Sequence, residues 1–497
     1  MTMKNIVIFI FLFWLSSNLS AECVIKNSDG GLTGIKNDRL YSALIQATPC
    51  PTNVLALKAI LERNGLSMKP FMVANQGFHN VVDGSFSFFE SASGAGVKDG
   101  DLLFGHFTTL NNGIVELDQT PRPRKLLIEA IAWDSNKGLY NFYELIGQKS
   151  GAQWFYRGDS ADALADNTFL YRTVPEGQTQ FGKRMRCSAC HNSGGPIMKE
   201  LLYPHNDWWT SVRRLSLLPN RPSQEVRRYL DQVMDASALS QTVQSGIARL
   251  EASPAYQAKK RAISLEEQLR PLFCETEINL LSDPEIFEMS LAYIHIPSAS
   301  LINPFLYNKD LKVSYERYEL MLKKYGMHFP NTNRLDADHA WLVPVKGYSD
   351  HQAVESMIIN GIIDEDFAAK VYAIDMKTPL LSAQRCGLLK LLPEKEEGWQ
   401  QAFINNLHAS PQPEAHELAM LLSDKAVTRS ELAKRAENYL EELTHVIEGS
   451  EGFEQIFEQL LSSRARVATS EISQNPRGQI LEPGFRVIFP EFSPAAL

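Results

Sequence analysis

The sequence predicts an α+β protein of more than one domain, with a β-rich N-terminal part and a mainly helical remainder. The first observation is length: 497 residues exceed what one ordinary core organises, so two or three domains are expected. The second is a hairpin signature. Lys125 to Asp134 (KLLIEAIAWD) and Leu139 to Leu145 (LYNFYEL) flank a Ser135-Asn136-Lys137-Gly138 turn, two β-prone runs closed by turn residues. The third is a change of period, from strand-like alternation before about residue 180 to helical spacing beyond it.

The elements follow in order. Leu55, Leu57, Ile60 and Leu61 after Pro51 predict a helix over 54–64. Strands follow: Phe86 and Phe88 alternate with serines, and extended runs continue at 102–109 and from Gln153 to Arg157. Pro222 and Ser223 introduce Val226, Tyr229, Leu230, Val233 and Met234, the apolar stripe of an amphipathic helix. Ser264-Leu265-Glu266-Glu267 has the spacing of a capping box before a helix carrying Cys274, and Ser282-Asp283-Pro284-Glu285 starts another. Residues 341–345 read as a strand, with a helix from about His351. Thr428-Arg429-Ser430-Glu431 caps a helix to about Glu448, and the tail from Asn475 is extended and proline-rich. These patterns divide the chain into 1–21, 22–176 (β-rich), 177–340 (helical) and 341–497 (mixed, then helical).

Residues 1–21 read as an export signal. Lys4 precedes the apolar run Ile6 to Leu15, which is too short to span a bilayer as a helix, and Ser16 to Ala21 offers a cleavage site after Ala21. The expected location is the bacterial periplasm, with no membrane span after the signal is removed. Without those residues the chain carries 48 basic and 58 acidic side chains, a net charge of −10. That balance excludes a general nucleic-acid binder, which needs a basic face.

The residues with the most chemical content are Cys187-Ser188-Ala189-Cys190-His191. Two thiols at this spacing can form thioethers with the vinyl groups of one haem, and the adjacent imidazole can bind its iron. A zinc site would need a second pair of ligands nearby, and none is present. A thioredoxin-like pair would carry its histidine, when it has one, between the cysteines. With six cysteines in all, four remain in a chain read as exported. Proximity favours Cys23 with Cys50, which leaves Cys274 with Cys386.

The segment Phe181 to Leu201, FGKRMRCSACHNSGGPIMKEL, resembles the haem-attachment region of c-type cytochromes. In that family a Gly-x-x-x-Phe pair packs near the haem and a Gly-Pro sets a carbonyl against the proximal histidine. Gly177 with Phe181, and Gly195-Pro196, match that pattern. Phe181 stands further from Cys187 than in the small cytochromes, and no Met-Pro ligand loop follows. The run Gly194 to Leu201 is also similar to one in large bacterial periplasmic monohaem proteins, a likeness that extends to 341–392. The resemblance implies a cytochrome c-like helical haem region, one covalent haem c per chain, attachment at Cys187 and Cys190, and proximal iron ligation by His191. It further implies the cytochrome c maturation machinery and a periplasmic redox partner. Lys183, Arg184, Arg186 and Lys199 are candidates to pair with haem propionates or an acidic partner, or form a solvated face.

The sixth iron ligand separates the functions that remain open. Met198 and His205 are the distal candidates: seven residues of extended chain after His191 reach about 23 Å, and His205 has a longer tether. Met234, His295, Met327 and His328 have no motif behind them. A strong sixth ligand predicts electron transfer, and an open position predicts peroxidase or oxygenase chemistry or a haem-based sensor. Trp208 and Trp209 either shield a haem edge or belong to a core. No Gly-x-Ser-x-Gly elbow, phosphate-cradling loop or zinc-protease helix is present.

Overall fold

The computed structural model describes residues 23–27, 30–74, 86–108, 117–123, 126–166, 191, 193–196, 223–234, 237–275, 278–281, 292–326, 343–394 and 397–469. The expected export signal, the expected helix start at Ser282 and the tail from Asn475 lie outside them. Among the described residues the α+β reading holds: a seven-stranded sheet occupies the first half of the chain and helices dominate the second.

The sheet is an antiparallel meander of β2 (Leu66–Ala74), β3 (Phe86–Gly94), β4 (Leu102–Thr108), β5 (Leu126–Asp134), β6 (Leu139–Gly147) and β7 (Ala152–Asp159). The two-residue β1 (Ile25–Lys26) joins it in parallel beside β7. The hairpin expected from sequence is β5 and β6, with Asp134 opposite Leu139. Eight of the nine residues of β6 are buried. That is why LYNFYELIG lacks the alternation of a one-sided strand: helices cover both faces. On one face lie α1 (Arg39–Ile45), α2 (Val54–Arg63) and α4 (Gln224–Leu230); on the other lie α5 (Ser237–Glu251) and α6 (Pro254–Ala262). The chain passes from one face to the other round the outer edge of β2, where the Met234 amide donates to the Pro70 carbonyl at 3.0 Å. Proline suits an edge strand because it has no N–H to give to a ladder.

This crossing corrects the apolar stripe expected after Ser223. Helix α4 ends at Leu230, so Val233 and Met234 lie past it, and Met234 is exposed. The helical spacing continues in the sequence, but the backbone is drawn off to bond the sheet edge.

Two apolar cores form among the described residues. One gathers residues between Cys23 and Tyr256 around the sheet, including α4 to α6. The other, between Leu265 and Leu461, is built from α7 (Leu265–Phe273), α8 (Tyr315–Lys324), α9 (Tyr348–Ile359), α10 (Glu365–Ala373), α11 (Ala383–Gly387), α12 (Trp399–Ala409), α13 (Pro413–Ser423), α14 (Arg429–Val446) and α15 (Ser450–Thr469). It also holds two short antiparallel strand pairs, β9 (Tyr293–Ile296) with β10 (Leu311–Ser314) and β8 (Ile278–Leu281) with β11 (Val343–Lys346). Thus 343–346 is a strand as expected, while α9 starts at Tyr348, three residues before His351. Gln257 of α6 links the cores by donating to Ser356 Oγ of α9 at 3.2 Å.

Capping follows the sequence closely. Ser264 accepts from the Glu267 amide at 3.2 Å and Thr428 from the Glu431 amide at 3.4 Å, each satisfying a donor left over in a first turn. Cys274 is the C-terminal cap of α7 rather than a residue within it. Both expected disulfides are present, Cys23–Cys50 and Cys274–Cys386. No helix among the described residues is long and apolar enough to cross a membrane.

Candidate functional site

His191 is held in a short turn pressed between the sheet and the helices on its second face. The turn closes on itself through a 2.8 Å bond from the Gly194 amide to the His191 carbonyl. Gly194 has φ +74 and a Cβ there would stand 2.6 Å from the Ser160 carbonyl oxygen, so only glycine fits. Ser160, the first residue of α3 (Ser160–Asp166), donates to the Gly194 carbonyl at 2.7 Å while accepting from the Tyr140 amide at 2.9 Å. The Tyr256 hydroxyl of α6 donates to the Ser193 carbonyl. Pro196 seats on Gly246 of α5, where any Cβ would come within 2.7 Å of the proline ring. Helix α5 is in turn fixed to the sheet by the Arg249–Asp101 ion pair.

The imidazole itself is positioned by two contacts. It meets the Phe142 ring of β6 in a T-shaped contact, at a centroid distance of 5.4 Å and an interplanar angle of 63°. Its Nδ1 lies 2.7 Å from the Gly195 carbonyl oxygen. A carbonyl can only accept, so the ring carries a proton on Nδ1, and in the neutral imidazole Nε2 keeps its lone pair. Burial pushes the imidazolium down to about 4, against the opposing pull of the Gly195 carbonyl. A carbonyl bonded to the far ring nitrogen in this way fixes the tautomer of a metal-ligating histidine and raises its basicity. A neutral Nε2 donor therefore fits a haem iron.

Two residues along β6, the buried Glu144 pairs with Arg157 at 2.7 Å. Arg157 is the extra residue of the bulge opposite Phe142 and Tyr143, so the cation that the sheet presents beside this strand already has a carboxylate partner.

Of the sequence-predicted site residues, His191, Gly195-Pro196, Met234 and His295 are described. Cys187, Cys190, Met198 and His205 lie outside the described residues, as do Phe181, Lys183, Arg184, Arg186, Lys199, Trp208, Trp209, Met327 and His328. His295 sits on β9 among the elements of the second core, whereas His191 packs on the first. Among the described residues, no group of three or more His, Cys, Asp or Glu side chains could hold a metal ion.

Sequence reading did not find Ser160, Phe142, Gly246 or Tyr256, which clamp the turn. It also missed a buried quartet on the other face, formed by Lys58 (α2), Glu90 (β3), His106 (β4) and Tyr229 (α4). Comparison with family models, with curated proteins and with solved structures finds no match for this chain.

Proposed function

We propose that this chain is an exported monohaem c-type cytochrome that transfers electrons in the periplasm. Cys187 and Cys190 would hold one haem c through thioethers, and His191 would be the proximal iron ligand. The observation that carries the reading is the 2.7 Å contact between His191 Nδ1 and the Gly195 carbonyl. It leaves Nε2 as the donor atom, one residue after a Cys-x-x-Cys pair. When bound, the haem supplies a one-electron Fe(III)/Fe(II) couple.

The chain's own contribution is orientation. Gly195 holds the imidazole tautomer, Phe142 limits rotation of the ring, and Ser160, Tyr256 and Gly246 keep the turn from yielding. A rigidly held histidine would suit electron transfer, because little rearrangement of the chain would then accompany a change of iron charge. Met198 or His205 would complete the coordination. A periplasmic redox partner and the cytochrome c maturation machinery are the expected partners. The two disulfides are compatible with an oxidising compartment.

A second reading, a haem peroxidase, oxygenase or sensor with an open sixth position, draws on size: two large cores exceed what burying one haem requires. The visible spectrum of the matured protein, oxidised and dithionite-reduced, with and without carbon monoxide, tests both. Bands of c-type haem that carbon monoxide leaves unchanged support electron transfer. A prompt shift on carbon monoxide transfers the assignment to the open-site reading, and a matured sample without such bands overturns both.

A further inference from the structure

The buried quartet is an unusual thing to place in a core. Glu90 and His106 have no exposed surface, and Tyr229 is 3 % exposed. His106 Nε2 and the Tyr229 hydroxyl share a 3.0 Å hydrogen bond, and their rings meet edge to face at 5.9 Å. Lys58 Nζ lies 3.9 Å from Glu90 Oε2 and 5.0 Å from the centre of the Tyr229 ring, and it makes no hydrogen bond among the described residues. An ion pair this loose recovers little of what burying its charges costs, and apolar side chains would pack the site more stably. A carboxyl kept in such a place is suited to binding and releasing a proton.

The groups that face Glu90 come from three elements: Lys58 and Glu62 on α2, His106 on β4 and Tyr229 on α4. Burial pushes the Glu90 carboxyl up to about 7, with Glu62 adding to the rise, while Lys58 and the Tyr229 hydroxyl favour its ionised form. Burial, helped by Lys58, takes His106 down to about 3, and burial with Glu90 holds Tyr229 well above its ordinary range. Among these, Glu90 is the group whose charge changes near neutrality. The lid over it is α4, which buries Val226, Tyr229 and Leu230 on this face and is only seven residues long.

We propose that the Lys58–Glu90–His106–Tyr229 quartet is a buried proton-binding site that makes the docking of α4 on the sheet pH-dependent, closed while Glu90 holds its proton and freer to open once it does not. The logic is linkage. Undocking α4 lets water reach Glu90 and returns its carboxyl to the ordinary range, so the open form binds a proton less tightly than the closed one. Raising the pH therefore favours opening, across the interval between the ordinary value of 4.5 and about 7. The device needs no haem.

Hydrogen exchange of the α4 amides on the full chain, corrected for intrinsic exchange, tests it. The opening constant of α4 should rise on the order of 100-fold from pH 4.5 to 7.5 and then level off. Amides of α5, on the other face, should not follow. Glu90→Gln should abolish the rise, and Lys58→Met, which removes a charge favouring ionisation, should move it to higher pH. The proposal is overturned if α4 and α5 rise together, or if Glu90→Gln keeps the wild-type dependence. Should that variant fail to fold, an unmoved interval in Lys58→Met overturns it instead.

Discussion

Two clusters of buried charge among the described residues each set a lysine beside a glutamate, and they differ in how densely those charges are bonded. In the second core Arg385, with no exposed surface, donates to Asp375 at 2.5 Å, Glu275 at 3.0 Å and the carbonyls of Phe273 and Pro379 at 3.1 Å each. Glu275 also accepts from the Leu381 amide at 2.8 Å. Lys346 adds ion pairs to Glu275 and Asp350 and a bond to the Cys274 carbonyl. In the first core Lys58 and Glu90 share one contact at 3.9 Å. The dense network ties down the backbone on both sides of the Cys274–Cys386 disulfide. The sparse pair ties down little and leaves a carboxyl free to titrate. Burial alone does not tell a structural charge from a working one; the number of bonds around it does.

The contrast is broken most severely on the dense side. Replacing Cys274 and Cys386 by serine opens a loop spanning 112 residues and should cost about 4 to 5 kcal/mol on the chain-entropy argument. The same exchange at Cys23 and Cys50, 27 apart, should cost about 3 to 4 kcal/mol. Arg385→Met takes from Asp375 its cation and leaves Glu275 only Lys346 and the Leu381 amide, and should cost about 3 to 5 kcal/mol. Urea unfolding at pH 7 measures all three. An Arg385→Met protein as stable as the parent would show that the network adds nothing to the disulfide.

On the sparse side the expected effect is a slope rather than a loss. Folded Glu90 keeps its proton up to about 7, whereas the unfolded chain releases it near 4.5. The extra proton favours the folded state at low pH, and this advantage is lost as pH rises between those values, by about 3 kcal/mol in all. Glu90→Gln removes the titration, so the stability difference between parent and variant should change by that amount from pH 4.5 to 7.5 and stay level above it. A constant difference would mean that Glu90 is ionised in the fold throughout.

What could be read from the sequence follows from how far apart the participants lie. The β5–β6 hairpin, the Ser264 and Thr428 caps and the helix after Pro51 depend on neighbours within a few residues, and each stands where its pattern puts it. The disulfides followed from counting, once the two thiols of the Cys187-Ser188-Ala189-Cys190-His191 motif were set aside. The quartet could not be read, because Lys58, Glu90, His106 and Tyr229 are brought together by a sheet register and a helix more than a hundred residues downstream. Met234 misled for a related reason: helical spacing continues to it, but the edge of β2 offers its amide the Pro70 carbonyl. At the candidate site, the motif and its Gly-Pro were plain. The clamps were not, since Ser160 and Tyr256 carry no signature until β7 and α6 bring them to the turn.

The smallest effect on stability should be the most telling about His191. Ser160→Ala removes the 2.7 Å bond to the Gly194 carbonyl and leaves the Tyr140 amide without its acceptor, a loss of about 1 to 3 kcal/mol. Gly194→Ala should cost about the same or somewhat more, because φ +74 and the 2.6 Å approach to the Ser160 carbonyl oxygen both oppose a Cβ. If the turn exists to aim an axial ligand, both variants should also alter the low-spin spectrum and reduction potential of the matured protein. Glu90→Gln, on the opposite face, should leave that spectrum alone. Spectra that stay the same in all three variants would reduce the clamps to ordinary packing, because a turn that can slacken without disturbing the iron is not what holds its ligand.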